Sequence, residues 1–595
     1  MIRHATRQSH EDPPAESLFK PPSWHWTKPG EIGWWVRPEW HSTLIGPSGL
    51  RIDEWRDRGQ LTTIKTGPNR VVYRADLAQG SVFVKHFLVP SWREKLRQWF
   101  RRGKGRNEGR RALKLAGIGV PTITPIALGE QRKRAFLFEN YLITPAIPDS
   151  VPLDEFVETR LLGFEPSRRA RVGQALAFAL GELTAHLHDA GFVHQDFHPG
   201  NLLVRLDEED RPQLAMIDLD ALRVRRDVSW KDAKANLALL NNYFWTRCDR
   251  TDRLRFLSTY LKSRRGVGRP PDLRTIAAGI ETATRSWAEK LWRRWGRRCR
   301  GDNKYFKTYR ESRCWAVASR DLDRATVSGL MNDPDEPFSR PDAVVLKDSR
   351  TTTVAQVTMH VEGRPTPVIY KRFNRKKVLD PVLNIFRPSR AWRAWQNGQH
   401  LDCRAVPTPR NLIVIGESSP RRLRILPHHF WSHDTYLATV KAEPSITVGD
   451  YALTVLAGLP IEGRRERIRR FTTVLARLIR TMHERSLSHR DLKAANILIV
   501  GDPDAISPIL SLIDLVGVTL DHPIAHGRRV QNLARLQISL ANVPGRTRTD
   551  ALRFLRAYLP WIHTSRPAWK GLWRDVERAC RSKELQNRKR GRVLS

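Results

Sequence analysis

The sequence has few cysteines and contains no long apolar run. Its 595 residues include five cysteines, which are widely spaced and form no CxxC pair, so neither a disulfide framework nor a zinc knuckle is expected. No stretch approaches the roughly 18 to 20 consecutive apolar residues of a membrane-spanning helix. The first residues, MIRHATRQSHEDPP, carry charges and prolines where a signal peptide needs an apolar core. These absences predict a cytoplasmic chain, either free or peripheral on the inner face of the cytoplasmic membrane.

Acidic side chains are scarce relative to basic ones. The sequence contains 62 Asp and Glu against 103 Lys and Arg, which gives a formal net charge of +41. Such a charge attracts polyanions, whether nucleic acid, anionic lipid headgroups or phosphorylated glycolipid. Because no nucleic-acid-binding motif accompanies the charge, nucleic acid is the least favoured of these partners.

Two segments of the chain resemble each other closely. HQDFHPGNLLV begins at His194 and HRDLKAANILIV begins at His489, and each is followed by a strand-like run that ends in an aspartate, Asp218 or Asp514. A β-type run with a lysine, a basic helical stretch, a VPT turn and an amphipathic helix precede both loops in the same order. A repeat of roughly 300 residues is far too long for a solenoid. It indicates a duplicated domain.

The repeated polar residues suit phosphoryl transfer. Moving a γ-phosphoryl group requires a group that orients the acceptor hydroxyl, ligands for Mg²⁺ and a cation on the nucleotide phosphates. An aspartate followed five positions later by an asparagine, and then by an aspartate at a strand end, supplies the first two. The predicted bases are Asp196 and Asp491, the predicted metal ligands are Asn201, Asp218, Asn496 and Asp514, and the predicted phosphate-binding lysines are Lys85 and Lys371.

Both halves resemble the lipopolysaccharide kinase family, the Kdo and heptose kinases, which is a bacterial branch of the protein-kinase-like fold. The most specific marks are HQDFHPGNLLV with MIDLD, HRDLKAANILIV with LIDLV, and the VPT turn after a basic helix. The resemblance implies an α+β chain of two tandem bilobal domains, each with a β-rich N-lobe and an α-rich C-lobe. It also implies ATP, Mg²⁺ and, as acceptor, a sugar hydroxyl on an anionic, membrane-anchored glycolipid.

The domain boundaries follow from the repeat. Kinase-like domains are predicted at residues 41–315 and 316–583, since such folds need roughly 250 to 300 residues over two lobes. Residues 1–40, rich in proline and charge, are predicted to be a weakly ordered leader. Residues 584–595 form a basic tail.

The phosphate-binding parts depart from the usual kinase pattern. Neither half has a GxGxxG loop or a DFG triplet. The stretches equivalent to that loop are Lys65–Arg70 and Lys347–Thr351, whose lysines Lys65 and Lys347 are candidate phosphate ligands. The same stretches fit ordinary hairpin tips equally well.

Two further positions differ between the halves. Glu108 lies at helix distance before the first VPT turn and could pair with Lys85, whereas residues 391–396 in the second half contain no acid. Two residues past the predicted base, the first half has His198 and the second has Lys493. A lysine there can neutralise the transferring phosphoryl group, and histidine is common there in small-molecule kinases.

Basic residues alternate with tryptophans after each lysine strand. Trp92, Leu96 and Trp99 fall on one predicted helical face, and Trp392 and Trp395 occupy the corresponding segment of the second half. Such segments suit the headgroup layer of a membrane. The alternative is that the rings pack on the lobe and the arginines form a solvated face.

Two other functions compete with a glycolipid kinase. HRDLKAAN favours a serine/threonine protein kinase, although no APE triplet follows Asp514 within the usual distance. A scaffold in which one half is a pseudokinase is the other alternative, and the retention of the polar catalytic groups in both halves disfavours it.

Overall fold

The computed structural model describes residues 23–589, with internal gaps at 68–69, 89–102, 134–135, 246, 266–271, 312–313, 375–387, 419–431, 504, 506–507, 522 and 560–565. The chain divides into two compact units, residues 1–288 and 289–595. We call them unit 1 and unit 2. Each unit combines a β-rich part followed by a helix-rich part, so the predicted α+β kinase-like fold is confirmed.

The N-lobe of unit 1 contains a seven-stranded antiparallel sheet with the order β1-β2-β8-β9-β7-β6-β5. The strands of unit 1 are β1 (His25–Thr27), β2 (Ile32–Val36), β3 (Ile45–Gly46), β4 (Gly49–Leu50), β5 (Leu61–Gly67), β6 (Arg70–Leu77), β7 (Gly80–Leu88), β8 (Ala127–Lys133), β9 (Phe136–Pro145), β10 (Val151–Pro152), β11 (Phe192–His194), β12 (Leu202–Leu206), β13 (Pro212–Met216) and β14 (Leu222–Val224). Its helices are α1 (His41–Leu44), α2 (Ile52–Asp57), α3 (Lys104–Gly117), α4 (Leu153–Glu155), α5 (Pro166–Asp189), α6 (Trp230–Phe244), α7 (Arg250–Ser263) and α8 (Leu273–Gly296), the last of which continues into unit 2.

Unit 2 repeats this arrangement with a sheet of order β15-β16-β20-β21-β19-β18-β17. Its strands are β15 (Phe306–Arg310), β16 (Cys314–Ser319), β17 (Val344–Ser349), β18 (Thr352–Val361), β19 (Arg364–Phe373), β20 (Asn411–Ser418), β21 (Ser432–Val440), β22 (Ser445–Thr447), β23 (Leu487–His489), β24 (Ile497–Val500), β25 (Ile509–Leu512) and β26 (Val518–Leu520). Its helices are α9 (Arg324–Asn332), α10 (Arg390–Asp402), α11 (Val448–Gly458), α12 (Ile461–Glu484), α13 (His526–Ser539), α14 (Arg548–Tyr558) and α15 (Arg566–Lys589).

The prediction of a weakly ordered leader at residues 1–40 is wrong for its second half. β1 is an edge strand of the first sheet, and β2 pairs with β1 on one side and with β8 on the other. Trp34 and Trp35 of β2 are buried in the two faces of this sheet. Burial of such large apolar rings orders this stretch despite its prolines and charges. Residues 1–22 lie outside the described part of the chain.

The boundary between the units lies upstream of the predicted residue 316. β15 pairs with β16 over its whole length, and β16 in turn pairs with β20 inside the second sheet. Residues 306–310 therefore belong to the second unit. The predicted basic tail begins inside α15, which continues to Lys589.

The long helix of each C-lobe forms where the sequence predicts it. α5 buries Val172, Leu176, Leu180, Leu183 and Leu187 at three- and four-residue spacings, which place them on one helical face. α12 of unit 2 follows the same pattern. These faces pack against two small sheets, β10-β12-β13 and β11-β14 in unit 1. No helix among the described residues is both long and apolar enough to span a membrane.

Candidate active sites

The loop after β11 holds Asp196 by backbone hydrogen bonds. The buried His194 ring accepts the Asp196 N–H at Nδ1, 3.3 Å away, and its Nε2 donates to the Asp218 carbonyl oxygen at 3.2 Å. This arrangement needs a neutral ring, and burial lowers the pKa of His194 accordingly. One side chain therefore joins the backbone of the predicted base to that of the predicted metal ligand.

Asn201 closes the same loop. Its side-chain nitrogen donates to the Asp196 carbonyl oxygen at 2.8 Å, which leaves the carboxamide oxygen as the potential metal ligand. Its own backbone carbonyl accepts the Ile217 N–H at 2.9 Å. That bond fixes the residue immediately before Asp218.

Both strand-end aspartates have left-handed backbones. Asp218 has φ of 53° and ψ of 57°, and Asp514 has φ of 56° and ψ of 57°. A residue with a Cβ is uncommon in this region, and such residues concentrate at functional sites. The same conformation at both positions turns each carboxylate out of its strand at the same point.

Unit 2 repeats the main hydrogen bonds of the loop, and the partner of the histidine Nε2 differs. The Asp491 N–H donates to His489 Nδ1 at 3.2 Å, and the Asn496 side-chain nitrogen donates to the Asp491 carbonyl oxygen at 2.8 Å. His489 Nε2 donates to the Ile513 carbonyl oxygen, at 3.2 Å, instead of to that of Asp514. Burial again lowers the pKa of His489.

The VPT turns dock onto the strands that lead to these aspartates. Thr122 Oγ1 donates to the Met216 carbonyl oxygen at 2.9 Å, and Thr408 Oγ1 donates to that of Leu512 at the same distance. The turn therefore has a structural reason to recur, because it attaches the segment after α3 or α10 to the strand before the metal-ligand position.

A buried triad supports each loop from below, and sequence reasoning gave it no role. In unit 1, Asn236 accepts the His194 N–H at 3.3 Å and donates to its carbonyl at 2.6 Å. His188 donates to Asn236 Oδ1 at 3.0 Å and lies 2.8 Å from the Tyr260 hydroxyl. In unit 2 the His489 N–H donates to Asn532 Oδ1 at 3.1 Å, and the His483 ring lies 3.0 Å from that oxygen and 2.8 Å from the Tyr558 hydroxyl. The signal was the recurrence of the asparagine and tyrosine in the repeat.

The structure brings Lys85 and Glu108 together. Lys85 Nζ, on β7, donates to Glu108 Oε1 of α3, and the Glu108 side chain is 5% exposed. A buried carboxylate that pairs with the lysine fixes the direction of the ammonium group. Glu108 Oε2 has no hydrogen-bond partner in the described structure.

Unit 2 has no such pair at the matching position. The spacing between Lys371 and its VPT turn equals that in unit 1 and places Ala394 where Glu108 stands. Ala394 is buried with Trp392 and Trp395 in a core cluster under the sheet. Burial lowers the pKa of Lys371, and the nearby carboxylate of Asp514 opposes that shift. Lys371 therefore has a metal-ligand candidate, and not a helix acid, as its neighbouring anion.

Lys65 and Lys347 lie within strands and not at hairpin tips. Lys65 is directly opposite Val72, which is directly opposite Lys85. Lys347, Val354 and Lys371 form the corresponding row in unit 2. Residues directly opposite each other share a face of the sheet, so each pair of lysines is on one face. A β-bulge precedes both outer lysines.

Arg70 adds a cation to the site of unit 1. Sequence analysis named it only as the last residue of the stretch Lys65–Arg70. Its Nη1 lies 3.5 Å from Asp218 Oδ1. The strand register places Thr352 at this position in unit 2, two residues before Val354. Pro68 and Asn69, in the same predicted stretch, lie outside the described residues.

The two predicted bases differ in their surroundings. Asp196 has His198 Nε2 at 3.6 Å from its carboxylate, and its side chain is 72% exposed. Asp491 has Lys493 Nζ at 3.5 Å and Arg535 Nη1 at 3.6 Å, and its side chain is 49% exposed. Sequence reasoning missed Arg535, which stands three residues after Asn532, where unit 1 has Leu239.

The tryptophans proposed for membrane contact have different outcomes. Trp392 and Trp395 are 1% and 0% exposed, so in unit 2 the alternative of packing on the lobe is the correct one. Trp395 also donates its indole N–H to the Cys299 carbonyl at 2.9 Å. Trp92, Leu96 and Trp99 lie outside the described residues.

A bilobal kinase-like unit with an Asp–Asn–Asp constellation thus occurs twice in the chain. The model of the lipopolysaccharide kinase (Kdo/WaaP) family matches residues 66–260 and 455–558, together about half of the chain. The chain belongs to this family. It is therefore a member of a family of sugar and lipopolysaccharide kinases, which are phosphotransferases.

Solved structures provide further likenesses. The chain is 24% identical to a WaaP solved in complex with acyl carrier protein, with a TM-score of 0.30 over 40% of this chain and 92% of that one. It is 15% identical to the kinase domain of a Toxoplasma gondii rhoptry antigen, with a TM-score of 0.24 over 38% of this chain and 83% of that one. No curated protein matches the chain.

Proposed function

We propose that the chain is an ATP-dependent phosphotransferase with two catalytic sites, which act on sugar hydroxyls of a lipopolysaccharide core or a related glycolipid. The observation that carries this proposal is the repetition of one hydrogen-bonded framework. In each unit a histidine and an asparagine hold the backbone of an exposed or half-exposed aspartate beside a strand-end aspartate. A random likeness of sequence would not reproduce these bonds twice.

Each chain residue has a defined task in the proposed reaction. The acceptor hydroxyl oxygen forms a bond to the γ-phosphorus, the bond from that phosphorus to the β–γ bridging oxygen breaks, and ADP leaves with that electron pair. Asp196 or Asp491 orients the hydroxyl and accepts its proton, which passes to solvent. Lys85 and Lys371 contact the α- and β-phosphates, with Lys65 and Lys347 on the same faces.

The residues present fit a magnesium ion. Asn201 with Asp218, and Asn496 with Asp514, offer carboxamide and carboxylate oxygens, which are hard ligands of the kind Mg²⁺ takes. The hydrogen bonds of both asparagines engage their nitrogens and leave the oxygens for this purpose. When bound, the ion neutralises charge on the β- and γ-phosphate oxygens. In the described part of the chain no group of three or more His, Cys, Asp or Glu forms a metal site by itself.

The same proposal includes where the chain works. ATP is available in the cytoplasm, and a membrane-anchored acceptor would bring the chain to the inner face of the cytoplasmic membrane. The charge of +41 supports this contact, because anionic headgroups attract basic residues. Sedimentation with anionic liposomes should be strong at low salt and lost at high salt, and a failure to sediment would overturn the membrane contact.

A second candidate concerns unit 2 alone. Ala394 replaces the acid that would orient Lys371, and this favours a unit that binds nucleotide as a pseudokinase without transferring phosphate.

A serine/threonine protein kinase is supported only by the sequence HRDLKAAN in the same unit. Phosphorylation of a generic protein substrate, without phosphorylation of extracted glycolipid, would support the protein kinase.

The deciding experiment measures transfer of labelled γ-phosphate from ATP to envelope glycolipid extracts. Wild-type chain, D196A, D491A and the double variant are compared at equal folded concentration. We expect transfer by both single variants and none by the double variant. Transfer by only one single variant would select the pseudokinase for the other unit. No transfer by the wild type to any extract would overturn the proposed function.

A further inference from the structure

Three positions around the predicted base differ in charge between the units. The repeat aligns Gln195 with Arg490, His198 with Lys493, and Leu239 with Arg535. Unit 1 therefore has no permanent cation at these positions, whereas unit 2 has three. A lysine at the position of Lys493 can neutralise the transferring phosphoryl group, and so the two arginines are the unexplained part of the difference.

Arg535 is held at the mouth of the unit 2 site. It lies on α13 one turn after Asn532, whose side chain accepts the His489 N–H at 3.1 Å. Its guanidinium donates to the Arg490 carbonyl oxygen and lies 3.6 Å from Asp491 Oδ1. The side chain is 35% exposed, so a ligand can reach it. Its position is thus set by the same framework that sets the predicted base.

A purely structural role explains Arg535 poorly. Exposed ion pairs contribute little to the stability of a fold. Asp491 already has Lys493 Nζ at 3.5 Å and the Asn496 side-chain nitrogen at 3.3 Å from Oδ2. A guanidinium beside the other oxygen competes there with the hydroxyl that Asp491 would orient. Unit 1 keeps the same loop geometry with Leu239 at this position, so the loop does not need the arginine.

We propose that unit 2 selects an acceptor that carries an oxyanion next to the reacting hydroxyl, and that Arg535 binds this group. This inference rests on the proposed function and names the substrate class of its second site. A guanidinium forms paired hydrogen bonds with phosphate or carboxylate oxygens. When the acceptor binds, its anion binds the Arg535 guanidinium in place of Asp491. Asp491 Oδ1 then becomes available to the acceptor hydroxyl. Unit 1 takes acceptors without such a neighbour.

The test compares acceptor preference in each unit separately. D196A leaves unit 2 as the working site, and D491A leaves unit 1. Each is assayed with untreated glycolipid extract, with phosphatase-treated extract, and with extract whose carboxylates are amidated. We expect D196A to lose about tenfold in kcat/KM on one of the two treated extracts, which identifies the anion as phosphate or carboxylate. D491A should change by less than about twofold.

The arginine itself is tested in the D196A background. R535L introduces the unit 1 residue and should abolish the difference between treated and untreated extracts, whereas R535K should keep part of it. R556L is the control of equal charge change, since Arg556 is an exposed arginine of α14; it should leave the difference intact. Chemical denaturation of each variant reports whether the fold is preserved.

Several outcomes would overturn the inference and leave the proposed function in place. The first is that the D196A chain uses treated and untreated extracts equally. The second is that R535L lowers kcat/KM by the same factor on treated and on untreated extract. The third is that unit 2 transfers no phosphate while unit 1 does. The absence of transfer by the wild-type chain would instead remove the proposed function itself.

Discussion

The two units share their backbone framework and differ in where they place positive charge. In unit 1 the additional cation is Arg70, 3.5 Å from the predicted metal ligand Asp218. In unit 2 it is Arg535, 3.6 Å from the predicted base Asp491. The additional charge thus lies beside the predicted metal ligand in one unit and beside the predicted base in the other.

This difference shows which parts of the constellation the fold requires. The bonds of the histidine and the asparagine recur in unit 2 because they close the loop and attach it to the strand. Asn236 and Asn532 attach the loop to α6 and to α13. Side chains outside this hydrogen-bonded framework are released from the constraint. Glu108 and Ala394 illustrate the point, since one site aims its lysine with an acid and the other buries a methyl group there.

Removal of the predicted bases should have the largest effect. D196A and D491A are each expected to lower transfer by the affected unit by roughly 10² to 10⁴, because the acceptor loses the group that orients its hydroxyl and takes its proton. Transfer is measured with the other unit inactivated. A loss below about threefold in either unit would contradict the assignment of that base.

The lysine–glutamate pair is the next test of the comparison. E108A in the D491A background should lower kcat by on the order of 10²-fold, because Lys85 is no longer aimed at the phosphates. The same substitution in the D196A background should change nothing, since Glu108 belongs to unit 1, which D196A already inactivates. Equal transfer by D491A with and without E108A would show that the pair has no part in positioning.

The buried histidines predict a pH effect that both units share. Burial lowers the pKa of His188 and of His483 to about 4, from an unfolded value near 6.5. Because the folded pKa is lowered, their contribution to stability is complete above about pH 6.5 and is lost as the pH falls toward 4. Each contributes on the order of 3 kcal/mol across this window. Urea unfolding at pH 7 and pH 4 measures it, and H188Q and H483Q should each flatten the dependence.

The smallest effect is expected at Arg70. R70T installs the unit 2 residue and should raise the KM for ATP of unit 1 by on the order of tenfold, with kcat little changed, if the guanidinium binds a nucleotide phosphate. T352R in unit 2 is the reverse change. An unaltered KM in R70T would show that the contact of Arg70 with Asp218 has no part in nucleotide binding.

The sequence predicted the repeated site residues of each unit but not the side chains that surround them. The repeat predicted Asp196, Asn201 and Asp218 because their short-range spacing is set by the loop itself, and it predicted Lys85 from its place in the matching strand. Arg535 could not be found in this way, because its contact with Asp491 depends on how α13 packs against the loop. The burial of Trp392 and Trp395 was equally open, since basic–aromatic spacing fits both a membrane surface and a core.

By itself the sequence determined the chemistry that each half can offer and the order of its elements, because hydrogen-bonding loops and amphipathic periods are local properties of the chain. Only the tertiary structure decided which side chains surround each reacting position. The sheet register places Lys65 beside Lys85, and helix packing places Arg535 beside Asp491. Such contacts join residues far apart in sequence, and their geometry is fixed by burial elsewhere in the fold.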